Sequence, residues 1–190
     1  MQDLLGVVLC GGESKRMGSD KGLLSIVDSI WAKYIGDKLE VFNIPVVFSV
    51  NETQLQDYGA YIDEDQLVVD SVDVSGPLKG LLSTHKKFPL KNLLLLACDM
   101  IDLDEATIDT ILQTYQQESR YDFYVYQDAA FAQPFCGIYT AKALQAELAR
   151  ANTHSITKFS LQQLLNEGNT KRLPIANPDA FKNYNEPSGI

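Results

Sequence analysis

Apolar positions along the chain fall into short blocks separated by longer segments in which they recur every three to four residues. The blocks Leu4–Cys10, Pro45–Val50, Gln66–Asp70, Asn92–Cys98, Asp122–Tyr126, Pro134–Tyr139 and Thr170–Ile175 have strand length. The segments Ser29–Val41, Pro77–Lys86, Asp104–Gln117, Ala141–Ala149 and Thr157–Glu167 carry helical spacing. Leu93 to Ala97 is continuously apolar rather than alternating, as expected for a central strand covered on both faces. Pro77 suits a first helical position, and Asp104 followed by Glu105 gives an acidic first turn. Strand and helix alternate, which predicts an α/β fold with a mostly parallel sheet and helices on both faces. No internal repeat or proline-rich linker interrupts the pattern, so residues 1–190 read as one domain.

In such sheets ligands gather beyond the carboxyl ends of the strands. That rule sets the loop Gly11–Lys21, Asn51, Asp70 and Asp99 along one edge, because each follows or closes a predicted strand. The loop is the most informative of them. It reads Gly11-Gly12-Glu13-Ser14-Lys15-Arg16-Met17-Gly18-Ser19-Asp20-Lys21, with three cations within seven residues, in a chain whose formal net charge is −9. Glycines let backbone N–H groups approach an anion closely, so a basic glycine-bearing loop on an acidic chain predicts a local polyphosphate site. It is not a P-loop, since Gly18 is followed by serine rather than lysine, and the G-x-G-x-x-G dinucleotide fingerprint is absent.

The acidic balance argues against general nucleic-acid affinity, because no excess of Lys and Arg is present to neutralise phosphates. There is no run of eighteen apolar residues, so no membrane span is expected, and the N-terminus lacks secretory-signal features. Three widely spaced cysteines suit a reducing compartment, and the chain reads as cytoplasmic.

Asp99 closes the leucine run. A carboxylate there presents hard oxygen ligands suited to Mg²⁺, which takes one or two protein carboxylates and completes its shell with phosphates and water. Its alternative role as a helix cap is better filled by Asp104.

The loop, with Leu9, Gly11, Gly12, Arg16, Met17, Gly18 and Lys21, has the form L-x-G-G-x-x-x-R-M-G-x-x-K. This resembles the opening motif of nucleotidyltransferases that build activated sugars, methylerythritol-phosphate intermediates and the molybdenum cofactor. With Asp20-Lys21 and Leu23-Leu24 it is most similar to molybdenum cofactor guanylyltransferases of the MobA type. The resemblance implies a three-layer, Rossmann-like fold of the nucleotide-diphospho-sugar transferase kind. It also implies transfer of GMP from GTP to the phosphate of molybdopterin, with Mg²⁺ held by Asp99. Leu9, Cys10, Gly11, Gly12 and Lys21 would bind the nucleotide, and Arg16, Lys21 and Asp99 would carry the chemistry.

The same resemblance assigns Asp70 and the Gly76-Pro77 turn to the guanine or its ribose. A carboxylate can accept the paired N1–H and N2–H of guanine, and the sequence leaves open which contact Asp70 makes. Asn51 stands where the family contacts nucleotide, and it reads equally well as a cap. Gln133 and Pro134, in the segment Gln133-Pro134-Phe135-Cys136-Gly137-Ile138-Tyr139, would line the acceptor side, together with His154, which replaces an arginine. Asn185 in Phe181–Pro187 would touch metal or phosphates. Asp102 is either a second carboxylate near the metal or surface charge. The resemblance leaves room for transient contact with proteins that deliver or accept the cofactor. Three alternatives stay open: a CTP-using cytidylyltransferase, a transferase of another small phosphate, and a nucleotide-binding regulator without turnover.

Overall fold

The computed structural model describes residues 3–11, 20–129, 131–153 and 160–184. Of the residues singled out above, Gly12, Arg16, Met17, Gly18, His154 and Asn185 lie outside it.

The strands are β1 (Leu4–Leu9), β2 (Ser25–Ile26), β3 (Ser29–Ile30), β4 (Val46–Val50), β5 (Leu67–Val69), β6 (Asn92–Ala97), β7 (Phe123–Gln127), β8 (Ala132–Tyr139) and β9 (Thr170–Pro174). The helices are α1 (Trp31–Asp37), α2 (Leu55–Tyr58), α3 (Pro77–Lys87), α4 (Glu105–Gln117), α5 (Ala141–Asn152) and α6 (Leu161–Glu167). Seven strands form one sheet in the order β5-β4-β1-β6-β8-β7-β9, and β2 pairs with β3 as a separate hairpin. Every pairing in the large sheet is parallel except the two made by β8, which runs against β6 and β7.

Helices cover both faces. Leu4 and Val8 of β1 and Leu94 and Leu96 of β6 point to one side, where Ile35 of α1 and Ile108 and Ile111 of α4 pack on them. Leu5, Val7, Leu93 and Leu95 point to the other, against Leu81 and Leu82 of α3, Leu144 of α5 and Leu164 of α6. The unbroken leucine run of β6 therefore serves two cores at once, each side chain fully buried. Gly80 allows α3 to lie close on the sheet: a Cβ there would stand 2.4 Å from Ser49 Oγ and 2.8 Å from Leu9 Cδ2.

Two expected helices differ. The segment Ser29–Val41 does not begin as a helix; Ser29 and Ile30 belong to the β2–β3 hairpin, whose tip holds Val27 at φ 48°. Trp31 N–H donates to Leu24 O at 2.9 Å across its base, and α1 starts there. The far end is a separate 3₁₀ turn, Glu40–Phe42, closed by left-handed Asn43. The last helix begins at Leu161 instead of Thr157, with residues 154–159 outside the description. Asp104 caps α4 as expected, accepting Thr107 N–H at 2.7 Å. Burial opposes its charge, but that bond and one from the Asn177 amide outweigh it and hold the carboxyl below its ordinary range.

Candidate active site

Because β1, β4, β5 and β6 are parallel, Cys10, Asn51, Asp70 and Asp99 all emerge at one edge of the sheet. A cleft of about 360 Å³ opens there, with Leu9, Cys10, Gly11, Lys21, Ala97, Cys98 and Asp99 on one side and Pro77, Phe135 and Asn183 around it. Six residues singled out from the sequence thus meet in one place: Leu9, Cys10, Gly11, Lys21, Pro77 and Asp99.

The centre of the cleft is an ion pair. Lys21 Nζ donates to Asp99 Oδ2 at 3.1 Å, with the two side chains only 19% and 16% exposed. Below it, Cys10 and Cys98 extend the adjacent strand ends Leu9 and Ala97, which are register partners. Burial pushes both thiols well above their usual range, so they form a protonated, weakly polar floor.

Lys21 opens a short 3₁₀ turn, Lys21–Leu23, capped by Asp20. Asp20 Oδ1 accepts Gly22 N–H at 3.0 Å and the Tyr58 hydroxyl at 2.8 Å, and Oδ2 accepts the Gln54 amide. The same Gln54 Nε2 reaches Cys10 O at 3.1 Å. Asn51 and Gln54 form a reciprocal cap: Asn51 Oδ1 accepts Gln54 N–H at 3.1 Å, and Gln54 Oε1 accepts Asn51 N–H at 2.9 Å. The Asn51 side chain is thereby engaged in capping, the role the sequence offered alongside nucleotide contact.

Asp70 lies one step further along the edge. A Cβ added to Gly11 would come within 3.8 Å of its Oδ2, so the carboxylate flanks the start of the loop. Ser49 Oγ donates to Asp70 Oδ1 at 3.3 Å. Burial raises the Asp70 pKa, and Lys79 and the Ser49 hydroxyl offset this only in part. Gly76 precedes α3 at φ 70°, a left-handed position open to glycine, and Pro77 takes the first helical turn. The N-cap of α3 is a glycine and makes no side-chain capping bond, and the first helical residue, Pro77, lines the cleft.

The opposite wall comes from β8. Its register against β7 jumps between Tyr124–Ile138 and Tyr126–Gln133, so Pro134 to Gly137 bulge away from the ladder. Cys136 sits at φ 53° within the bulge, and Tyr139 OH latches it by donating to Pro134 O at 2.9 Å. A Cβ at Gly137 would stand 2.8 Å from that same carbonyl, which accounts for glycine there. The bulge delivers Phe135 into the cleft, while Gln133 turns to Asp128 at 3.2 Å. From the C-terminal segment, Tyr184 N–H donates to Asp99 O at 3.3 Å, its hydroxyl bonds Asp102, and Asn183 lines the cleft. Asp102 is therefore engaged by a tyrosine on the exposed side. Phe135, Asn183, Gln54 and Tyr58 were not read as site residues; Phe135 and Asn183 lay inside quoted motifs, and Gln54 and Tyr58 carried no spacing signal.

A larger cavity, about 410 Å³, lies at the amino ends of β4 and β5 between Ile44, Tyr61 and Gln66. Its rim holds Asp37, Glu40 and Asp63 against Lys33, which already pairs with Asp37 at 3.2 Å. That charge is wrong for a phosphate ligand, so the smaller cleft is the candidate site.

Residues 6–169 match the family described as the MobA-like NTP transferase domain. The chain belongs to this family. Among its relatives, a molybdenum cofactor biosynthesis bifunctional protein from Synechocystis is 32% identical over 142 residues, covering 75% of this chain and 40% of that protein. A molybdenum cofactor guanylyltransferase from Campylobacter jejuni is 25% identical over 185 residues, covering 97% of this chain and 92% of that one. The match thus spans about two fifths of the Synechocystis protein, and 56% of a guanylyltransferase from Pseudomonas entomophila. Among solved structures, molybdopterin-guanine dinucleotide biosynthesis protein A from Archaeoglobus fulgidus superposes with a TM-score of 0.75 at 19% identity. It covers 96% of this chain and 93% of that one, and the likeness shows the MobA-like fold alone. The three-layer, nucleotidyltransferase architecture expected from the sequence is therefore the one observed. Among the described residues no helix is long and apolar enough to cross a membrane.

Proposed function

We propose that this chain transfers GMP from GTP to the terminal phosphate of a molybdopterin-type acceptor, releasing pyrophosphate. The observation that carries the reading is the Lys21–Asp99 pair beside Gly11 in a cleft at the carboxyl edge of a parallel sheet. The names of the guanylyltransferase relatives support the choice of nucleotide and acceptor.

The chemistry suits this residue set. A phosphate monoester with a second pKa of about 6 is already ionised at neutral pH, so the attacking oxygen needs no general base. It forms a bond to the α-phosphorus as the bond to the bridging oxygen breaks and the electron pair leaves with pyrophosphate. The difficulty is to gather two polyanions and stabilise charge on the transferring group. Lys21 supplies a cation and Gly11 a backbone approach, with Arg16 assigned to the same loop. The amino end of α3, at Gly76 and Pro77, faces the same space and favours negative charge.

Asp99 fits a magnesium ion. It is a single, partly exposed carboxylate on a rigid strand end, facing a cleft wide enough for phosphates. Among the described residues no cluster of three His, Cys, Asp or Glu gathers for a metal, so substrate oxygens would have to supply most of the ion's ligands. When bound, such an ion neutralises phosphate charge during transfer. Asp70 and Gly76-Pro77 would face the base or ribose, and Phe135, Gln133 and Pro134 the acceptor. His154 and Asn185 are assigned to the acceptor and metal sides by family register alone.

Pyrophosphate release tests the proposal, measured with magnesium, each of the four nucleoside triphosphates and a panel of phosphorylated acceptors. Release with GTP and a phosphorylated pterin alone is the expected result. A preference for CTP or for a sugar phosphate would overturn the substrate assignment. Nucleotide binding without release would leave a binding protein in place of an enzyme.

A further inference from the structure

The cationic loop leaves the sheet at Cys10 and returns at Asp20, and both ends are gripped by a segment more than thirty residues away in sequence. Gln54 commits its whole side-chain amide there: Nε2 to Cys10 O and to Asp20, Oε1 to Asn51 N–H. Tyr58 is fully buried, and its hydroxyl donates to Asp20 Oδ1. Burial drives that hydroxyl far above its ordinary pKa, so it stays a donor. Gly22 makes the arrangement sterically feasible, since a Cβ on it would lie 2.1 Å from Tyr58 Oη. Asp20 in turn caps the turn on which Lys21 stands, immediately before the ammonium that meets Asp99.

We propose that Gln54 and Tyr58 are positioning residues that clasp the loop through Asp20 and so fix Lys21 against Asp99. The inference rests on the nucleotidyl-transfer reading for its effect on turnover, but its structural half stands apart from that reading. Neither residue touches the cleft. They act by closing on Cys10 and Asp20, so that Lys21 is held in place before a triphosphate arrives. A displacement of about 1 Å at such a group can cost on the order of a hundredfold in rate.

The test uses Tyr58→Phe and Gln54→Leu in the full chain, with Tyr124→Phe as control. Tyr124 is equally buried, and its hydroxyl likewise donates a hydrogen bond, in its case to the Glu118 carbonyl, away from the cleft. Two readouts are taken: exchange of the Gly22 amide hydrogen, and kcat/KM for the triphosphate. We expect Gly22 exchange to rise at least tenfold in both variants and stay within twofold in the control. Turnover should fall roughly tenfold or more in Tyr58→Phe, with a melting temperature close to that of Tyr124→Phe. Unchanged Gly22 exchange, or an equal loss of turnover in Tyr124→Phe, overturns the proposal. If the unmodified chain releases no pyrophosphate with any substrate pair, the functional reading falls, and Gly22 exchange alone still decides the clasp.

Discussion

The hydroxyl of Ser83, on the inner face of α3, accepts the backbone N–H of Ser71 at 2.8 Å and of Val72 at 3.2 Å. The stretch that follows Asp70 is thus tied to the helix that begins at Pro77, and both arrive at the cleft edge as one unit. Ser83→Ala leaves two poorly solvated N–H groups without their acceptor, which costs about 1–3 kcal/mol. Denaturant unfolding should show that loss, and GTP should bind more weakly because Asp70 is no longer held. Unaltered stability would mean the two amides find another acceptor.

Lys21→Ala separates catalysis from folding. A partly exposed ion pair contributes roughly 0–1 kcal/mol, so the melting temperature should change little. On the proposed mechanism, removing this cation should lower turnover about a hundredfold or more. Steady-state pyrophosphate release and thermal melting measure the two sides. Turnover within a few-fold of the unmodified chain would remove Lys21 from the mechanism.

His85 sets an acid limb of stability. It is fully buried on α3, with neither ring nitrogen hydrogen-bonded among the described residues. Burial lowers its pKa, opposed in part by the nearby Gln145 amide. The unfolded chain therefore takes up a proton before the folded one does. Stability should be constant above about pH 6.5 and fall as pH drops from there through the lowered folded value. Urea midpoints at pH 7.5 and 5.5 should differ less in His85→Leu than in the unmodified chain. An identical pH dependence in both would show that His85 is not the titrating group.

Val27 should be replaceable with a gain. It holds φ 48° at the hairpin tip, with 89% of its surface exposed, a backbone region unfavourable for a β-branched residue. Val27→Gly should stabilise the chain by about 0.5–1 kcal/mol, the relief of strain exceeding the added chain entropy. No rise in the unfolding midpoint would show that the strain is already relaxed.

Much of the sheet was legible because its parallel strands are apolar blocks that stop where a candidate site residue begins: Leu9 before Cys10, Val69 before Asp70, Ala97 and Cys98 before Asp99. That the Gly11–Lys21 loop and Asp99 share one edge was expected from their places at strand ends in a parallel sheet; the contact between Lys21 and Asp99 was not. What escaped was local backbone geometry carried by the wrong residue types. A two-residue hairpin turn ordinarily shows Asn or Gly; Val27-Asp28 carries neither, so the hairpin had no signature and its second strand fell within the expected helix Ser29–Val41. The β8 bulge likewise turns on Cys136, a non-glycine residue in the left-handed region, so its delivery of Phe135 had no signature. The Gln54–Tyr58 clasp was hidden for a different reason: its partners are distant in sequence, and polar residues in a four-residue helix show no period.

The reversed direction of β8 has an evolutionary consequence. Running against its neighbours, it begins where the parallel strands end, so Asp128 and Phe131, in the turn at its start, stand at the same sheet edge as the cleft. That turn can grow, shrink or change composition without touching Gly11, Lys21 or Asp99. On the transfer reading proposed above, change in β8 would re-shape the wall assigned to the acceptor and leave the Lys21–Asp99 wall as it is.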